Sequence, residues 1–80
     1  MASLIQIKPN LYRFMSGHKV IYFSYETAIA YYDYIQEETV VSENVWTRTT
    51  AKHINHIKET AGSYVQLPNA DFILCLKDYS

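Results

Sequence analysis

The sequence predicts an α+β domain: an antiparallel sheet of about 3–4 strands, built as hairpins or a meander, packed by one central helix and a short C-terminal helix. Three observations predict it. Lys19 to Tyr25 (KVIYFSY) is β-branched and aromatic with period-two alternation, as a half-buried strand requires. From Trp46 to Ala61 the period changes, and Trp46, Thr50, Ile54, Ile57 and Ala61 follow one another at helical steps. The two glycines and two prolines are placed mostly where one element should give way to the next.

Taken in chain order, Lys8-Pro9-Asn10 is a turn, because Pro disfavours helix in the residue before it and Asn tolerates tight turns. Leu11 to Met15 is a short apolar strand, and Ser16-Gly17-His18 reads as a hairpin connection into Lys19–Tyr25. In that strand Ile21, Phe23 and Tyr25 share one face and are assigned to the core with Ile29 and Tyr31. Tyr22, Tyr32 and Tyr34 then point outward or to an edge. Ala28 to Ile35 (AIAYYDYI) is compatible with a strand or a helical turn, and its aromatic and β-branched content favours strand. Gln36-Glu37-Glu38 is a polar turn, and Thr39 to Val45 is a weaker strand.

Thr47 or Thr49 can cap the central helix, and Gly62 stands where a left-handed C-cap is wanted. Ser63 to Leu67 is extended. Pro68-Asn69-Ala70-Asp71 opens the last helix, with Asn69 as its cap and Phe72 to Leu76 packing on the sheet. No repeat, low-complexity run or linker divides the 80 residues, so residues 1–80 form a single domain.

Composition excludes two function classes. Charged residues are 19% and the net charge is -1, so the whole chain is neither a polybasic nucleic-acid binder nor an acidic mimic of DNA. A lone cysteine, Cys75, cannot form an intrachain disulfide. The N-terminus lacks the pattern of a signal peptide, and no apolar run approaches the roughly 20 residues of a membrane span. The expectation is a soluble protein of the cytoplasm with no membrane partner.

The chemistry-bearing residues do not assemble a catalytic set. Cys75 lies in Phe-Ile-Leu-Cys-Leu, a setting for a buried packing thiol, and burial raises a thiol pKa instead of activating it. His53 and His56 are three apart on the helix but lack the further ligands of a metal site. The carboxylates are scattered and no glycine-rich phosphate loop is present. No enzyme, metal or cofactor is expected.

Two surfaces remain. Eight tyrosines in 80 residues are many, and an outward cluster of Tyr22, Tyr32 and Tyr34 would suit a protein partner or self-association into a homodimer. On the central helix Arg48, Lys52 and His56 recur every four residues with Asn55 beside them, a stripe that could meet nucleic-acid phosphates. Glu59 follows directly, and an ordinary solvated helix face explains the same stripe.

Two longer stretches, Tyr22-Phe23-Ser24-Tyr25-Glu26-Thr27-Ala28-Ile29-Ala30-Tyr31 and Trp46-Thr47-Arg48-Thr49-Thr50-Ala51-Lys52-His53-Ile54-Asn55, resemble a family of small uncharacterised domains found largely in bacteriophage genomes. The resemblance spans about Tyr12 to Phe72. Ala28 stands where the family usually has Pro, and Thr47 where Ser is common. The motif falls on Tyr25, Thr27, Thr49, Thr50, Lys52 and His53. It implies a phage-encoded protein at work in a bacterial host, and it carries no activity with it. Together these readings lead to a small interaction protein that binds and modulates a host protein, with a nucleic-acid module on the basic helix face as the alternative.

Overall fold

In the computed structural model, which describes residues 4–43 and 48–77, five strands follow one another as an antiparallel meander: β1 (Leu4–Lys8), β2 (Leu11–Ser16), β3 (Lys19–Ser24), β4 (Thr27–Asp33) and β5 (Glu38–Ser42). Helix α1 (Arg48–Ala61) carries the chain back, β6 (Val65–Leu67) pairs in parallel with β5, and α2 (Asn69–Lys77) closes the described fold. The class is α+β, but the sheet is mixed and has six strands in the order β1-β2-β3-β4-β5-β6. The expected 3–4 antiparallel strands are therefore an undercount. β1 adds one edge and β6 the other, and β6 is parallel because a helix separates it from β5.

The turns are tight and chemically apt. Asn10 (φ 62°) and Gly17 (φ 58°) occupy the left-handed region that two-residue hairpins need. Tyr25 (φ 57°) does the same between β3 and β4. It is therefore a half-exposed turn residue, not the core residue that alternation assigned. Of Ala28–Ile35, Ala28 to Asp33 resolves as strand within β4, and Tyr34 and Ile35 fall in the turn that follows. Tyr22 of β3 opposes Ala30 of β4 while Phe23 opposes Ala28, so Ile29 is an inserted residue. Such a bulge lets Ile29 and Ala30 both bury on the same side of the sheet.

That side belongs to α1. Ala30 opposes Val41 across β4 and β5, and both pack with Leu11, Ile29, Ile54 and Ile57. The neighbouring pair, Tyr31 and Val40, points the other way and packs with Phe72, Leu67 and Leu76. The two helices thus cover opposite faces of the sheet. Gly62 (φ 77°) ends α1 as expected, its N–H donating to the Lys58 carbonyl at 3.1 Å. Thr49 lies inside α1 and is not its cap. Thr47, the alternative cap, and Trp46 and Val45 lie outside the described residues.

Helix α2 begins at Asn69, with the Phe72 N–H bonded to the Pro68 carbonyl at 2.9 Å. Asn69 does not cap it; its amide donates to Ser42 Oγ at 3.1 Å and ties the helix to β5. Phe72 is fully buried and Leu76 half-buried one turn later, so the intervening Cys75 is turned outward and exposed. The buried packing thiol expected from its apolar neighbours is thus corrected: this helix has only one face to bury.

Candidate functional site

Helix α1 lies over β4 and β5 and meets Leu11 of β2 and Ser24 of β3, and an open wedge remains between it and the rest of β1 to β3. The register brings Ile5, Arg13 and Tyr22 side by side across β1, β2 and β3. One row along, Val20 opposes Tyr32 and Tyr32 opposes Thr39. All of these except Val20 line a cleft of about 500 Å³ whose other wall is His56, Ile57 and Thr60 of α1. Two of the three outward tyrosines are therefore cleft residues. Tyr34 completes the cluster from the following turn, its ring meeting that of Tyr32 edge to face at 5.1 Å between centroids. Tyr34 is 51% exposed.

The cleft is mainly apolar, and among its described lining residues Arg13 is the cation. Burial pushes the Tyr22 hydroxyl above its ordinary pKa, with Arg13 pulling it back and Tyr34 adding to the rise. Tyr22 therefore keeps its proton through neutral pH and can donate a hydrogen bond to an entering acceptor, while Arg13 can meet a carboxylate. Apolar walls with a few convergent polar groups are what a binding cleft for a peptide side chain needs. Arg13, Ile5 and Ile7 were not singled out from the sequence. Their signal is visible only once β1 is known to be a strand.

The helix stripe divides. Arg48, Lys52 and Asn55 are exposed, whereas His56 is half-buried in the cleft wall. The basic face is thus shorter than four-residue spacing suggested.

The motif residues also divide, and a residue outside the named motif set unites them. Ser24 Oγ lies 2.7 Å from His53 Nδ1 and 3.1 Å from Thr50 Oγ1. The His53 ring also bonds to the backbone of Pro9, which has no N–H, so the carbonyl accepts and the ring donates. Nδ1 then accepts from the Ser24 hydroxyl, and Thr50 donates to Ser24. Burial holds the His53 pKa below its ordinary value, the Pro9 bond opposes this, and Lys8 and His56 add to the lowering. The Tyr25 ring stands 6.3 Å from the His53 ring. Thr27 opposes Ser24 at the strand ends, while Thr49 and Lys52 are exposed on α1. A Ser–His pair at 2.7 Å has the form of a nucleophile and base. Here Ser24 is 1% exposed, and the network joins α1 to β3 and the β1–β2 turn.

A second, shallower hollow lies on the opposite face, where α2 does not extend. Tyr12, Phe14 and Phe23 form its floor and Leu4 and Tyr25 its margin. Among the described residues no three His, Cys, Asp or Glu side chains are grouped to hold a metal ion. No described helix is long and apolar enough to cross a membrane.

Fold and cleft together define a small α+β domain: a six-stranded mixed sheet between two helices, with a tyrosine-lined groove beside the longer one. Residues 3–73 match a family of unknown function (DUF8033), and the chain belongs to that family. No curated protein and no solved structure matches it.

Proposed function

We propose that this chain is a non-enzymatic interaction protein whose tyrosine cleft grips a segment of a host protein and thereby modulates it. The observation that carries the reading is the cluster of Tyr22 and Tyr32 in the cleft with Tyr34 against the Tyr32 ring. Aromatic anchors with an apolar body and a polar tip dominate the energetics of protein interfaces. Here Tyr22 and Tyr32 line the cleft with Ile5, Ile7 and Ile57, and Arg13 offers a bidentate contact for an acidic group. The resemblance of the two motif stretches to bacteriophage domains supports a phage origin and a site of action in the bacterial cytoplasm.

The test is capture from a nuclease-treated bacterial lysate with the tagged chain and its Tyr32→Ala and Tyr34→Ala variants. One stoichiometric protein retained by the parent and released by both variants supports the reading. Retention by the variants equal to the parent's contradicts it.

A further inference from the structure

The outer edge of β1 has backbone groups whose direction can be worked out from the ladder. Just before β2 the Asn10 carbonyl accepts the Tyr25 N–H at 2.7 Å, and at the other end of the strand Ser16 opposes Lys19 across a two-residue turn. In an antiparallel ladder bonding directions alternate residue by residue. Tyr12 and Phe14 therefore bond to β3, and Leu11 and Arg13 turn toward β1. Their opposite numbers there are Lys8 and Ile5, with a bulge between Gln6 and Lys8. Leu4 and Gln6, alternating with Ile5, must then direct N–H and C=O away from the sheet. Among the described residues no strand lies beyond them.

Natural sheets blunt such edges with charge, Pro, bulges or brevity. The far edge follows this rule: β6 is three residues long and Pro68 follows it. β1 has five residues, and its bulge, its lysine and the proline that follows all fall at its C-terminal end, so that Leu4 to Gln6 form an uncharged, regular stretch. Leu4, Ile5 and Ile7 are all exposed, Leu4 on one face and Ile5 on the other.

We propose that β1 pairs with β1 of a second copy of this chain, antiparallel about a two-fold axis at Ile5, joining two sheets into one. The outward groups sit symmetrically about that residue. Leu4 meets Gln6 of the second copy, and Gln6 meets its Leu4, so each strand's free donors find the other's acceptors. Ile5 faces its own counterpart in the close, non-bonded position, where side chains approach most nearly. An uncharged segment has no like charge to repel its copy. Lys8 is turned inward to Leu11 and lies beyond the paired stretch, so the two lysines fall at opposite ends. An axis normal to the sheet also keeps faces in common, which sets the two tyrosine clefts on the same side with Ile5 and Ile7 between them. This inference stands apart from the proposed host partner, since the cleft could bind in either assembly state.

Sedimentation of the parent chain, Gln6→Pro and Ile5→Lys over about three decades of concentration tests it, because self-association follows mass action. Gln6→Pro removes an N–H that faces away from β2 and so spares the internal ladder. Ile5→Lys changes no backbone group and decides the matter if the proline variant does not fold. The expected result is a parent that passes from monomer to dimer, and variants that stay monomeric with parental circular dichroism. A parent that is monomeric throughout overturns the proposal. So does a dimer that survives both substitutions.

Discussion

Ser24 and His53, 29 positions apart in the chain, meet at 2.7 Å through Oγ and Nδ1 in the interior between β3 and α1. Each is satisfied by the other and by a further partner, Thr50 for the serine and the Pro9 carbonyl for the ring. Ser24→Ala removes the donor and leaves Nδ1 buried without a partner. Such a loss costs about 1–3 kcal/mol. Urea unfolding should show that decrease for Ser24→Ala, with little change in the slope of the transition.

The same ring makes stability depend on pH. His53 is neutral in the folded chain, with its pKa held below the ordinary histidine value near 6.5. The unfolded chain therefore takes up a proton first as pH falls. Stability from this residue is complete above about pH 6.5, declines below it, and levels off once pH passes the folded-state value. Denaturation midpoints measured from pH 8 to about pH 5 should fall for the parent, and the fall should be much smaller in His53→Gln.

Phe72 is the fully buried anchor of α2, packed with Tyr31, whose ring lies 5.9 Å away, and with Val40. Phe72→Ala should cost about 3–5 kcal/mol by calorimetric or urea unfolding. Ile73→Ala, on the exposed side of the same helix, should stay within about 0.5 kcal/mol.

Asp33 supplies a second pH effect of the opposite cause. Although desolvation pushes its pKa up, N–H groups of Gln36 and Ile35, together with His18 and Lys19, hold it below the ordinary carboxylate value. Folded pKa below unfolded pKa means that this stabilisation is present above about pH 4 and is lost as pH falls through the folded value. Acid titration of Asp33→Asn should lack that part of the low-pH transition.

The meander, the central helix and its glycine cap were legible because period-two and helical spacing are local signals. The missed features are those decided at a distance. β6 is three residues long and is a strand only because β5 lies beside it. Cys75 reads as buried from its apolar neighbours, yet α2 has one sheet to pack on, and Phe72 with Leu76 fills that contact. Alternation placed Tyr25 in the core because a turn residue with positive φ is expected to be Gly or Asn. Of the cleft, Tyr22 and Tyr32 could be singled out from alternation, whereas Tyr34 stands in the turn after β4. Arg13 and Ile5 join them only through the cross-strand register, and Ser24 joins Thr50 and His53 only through the packing of helix on sheet.

The basic stripe offers a direct comparison. Arg48 and Lys52 are exposed on α1, away from the buried His53. Arg48→Glu with Lys52→Glu should leave host-protein capture unchanged, whereas phosphate-driven binding would weaken steeply with both salt and charge reversal.

The central claim is that the tyrosine cleft binds a protein. The most direct measurement is titration of the protein captured from lysate against the purified chain and its Tyr34→Ala variant, at low and high salt, by calorimetry. The account predicts saturable binding that survives salt and weakens at least tenfold in the variant, which is about 1.4 kcal/mol. Equal affinity for parent and variant, or binding that vanishes with salt, would contradict it.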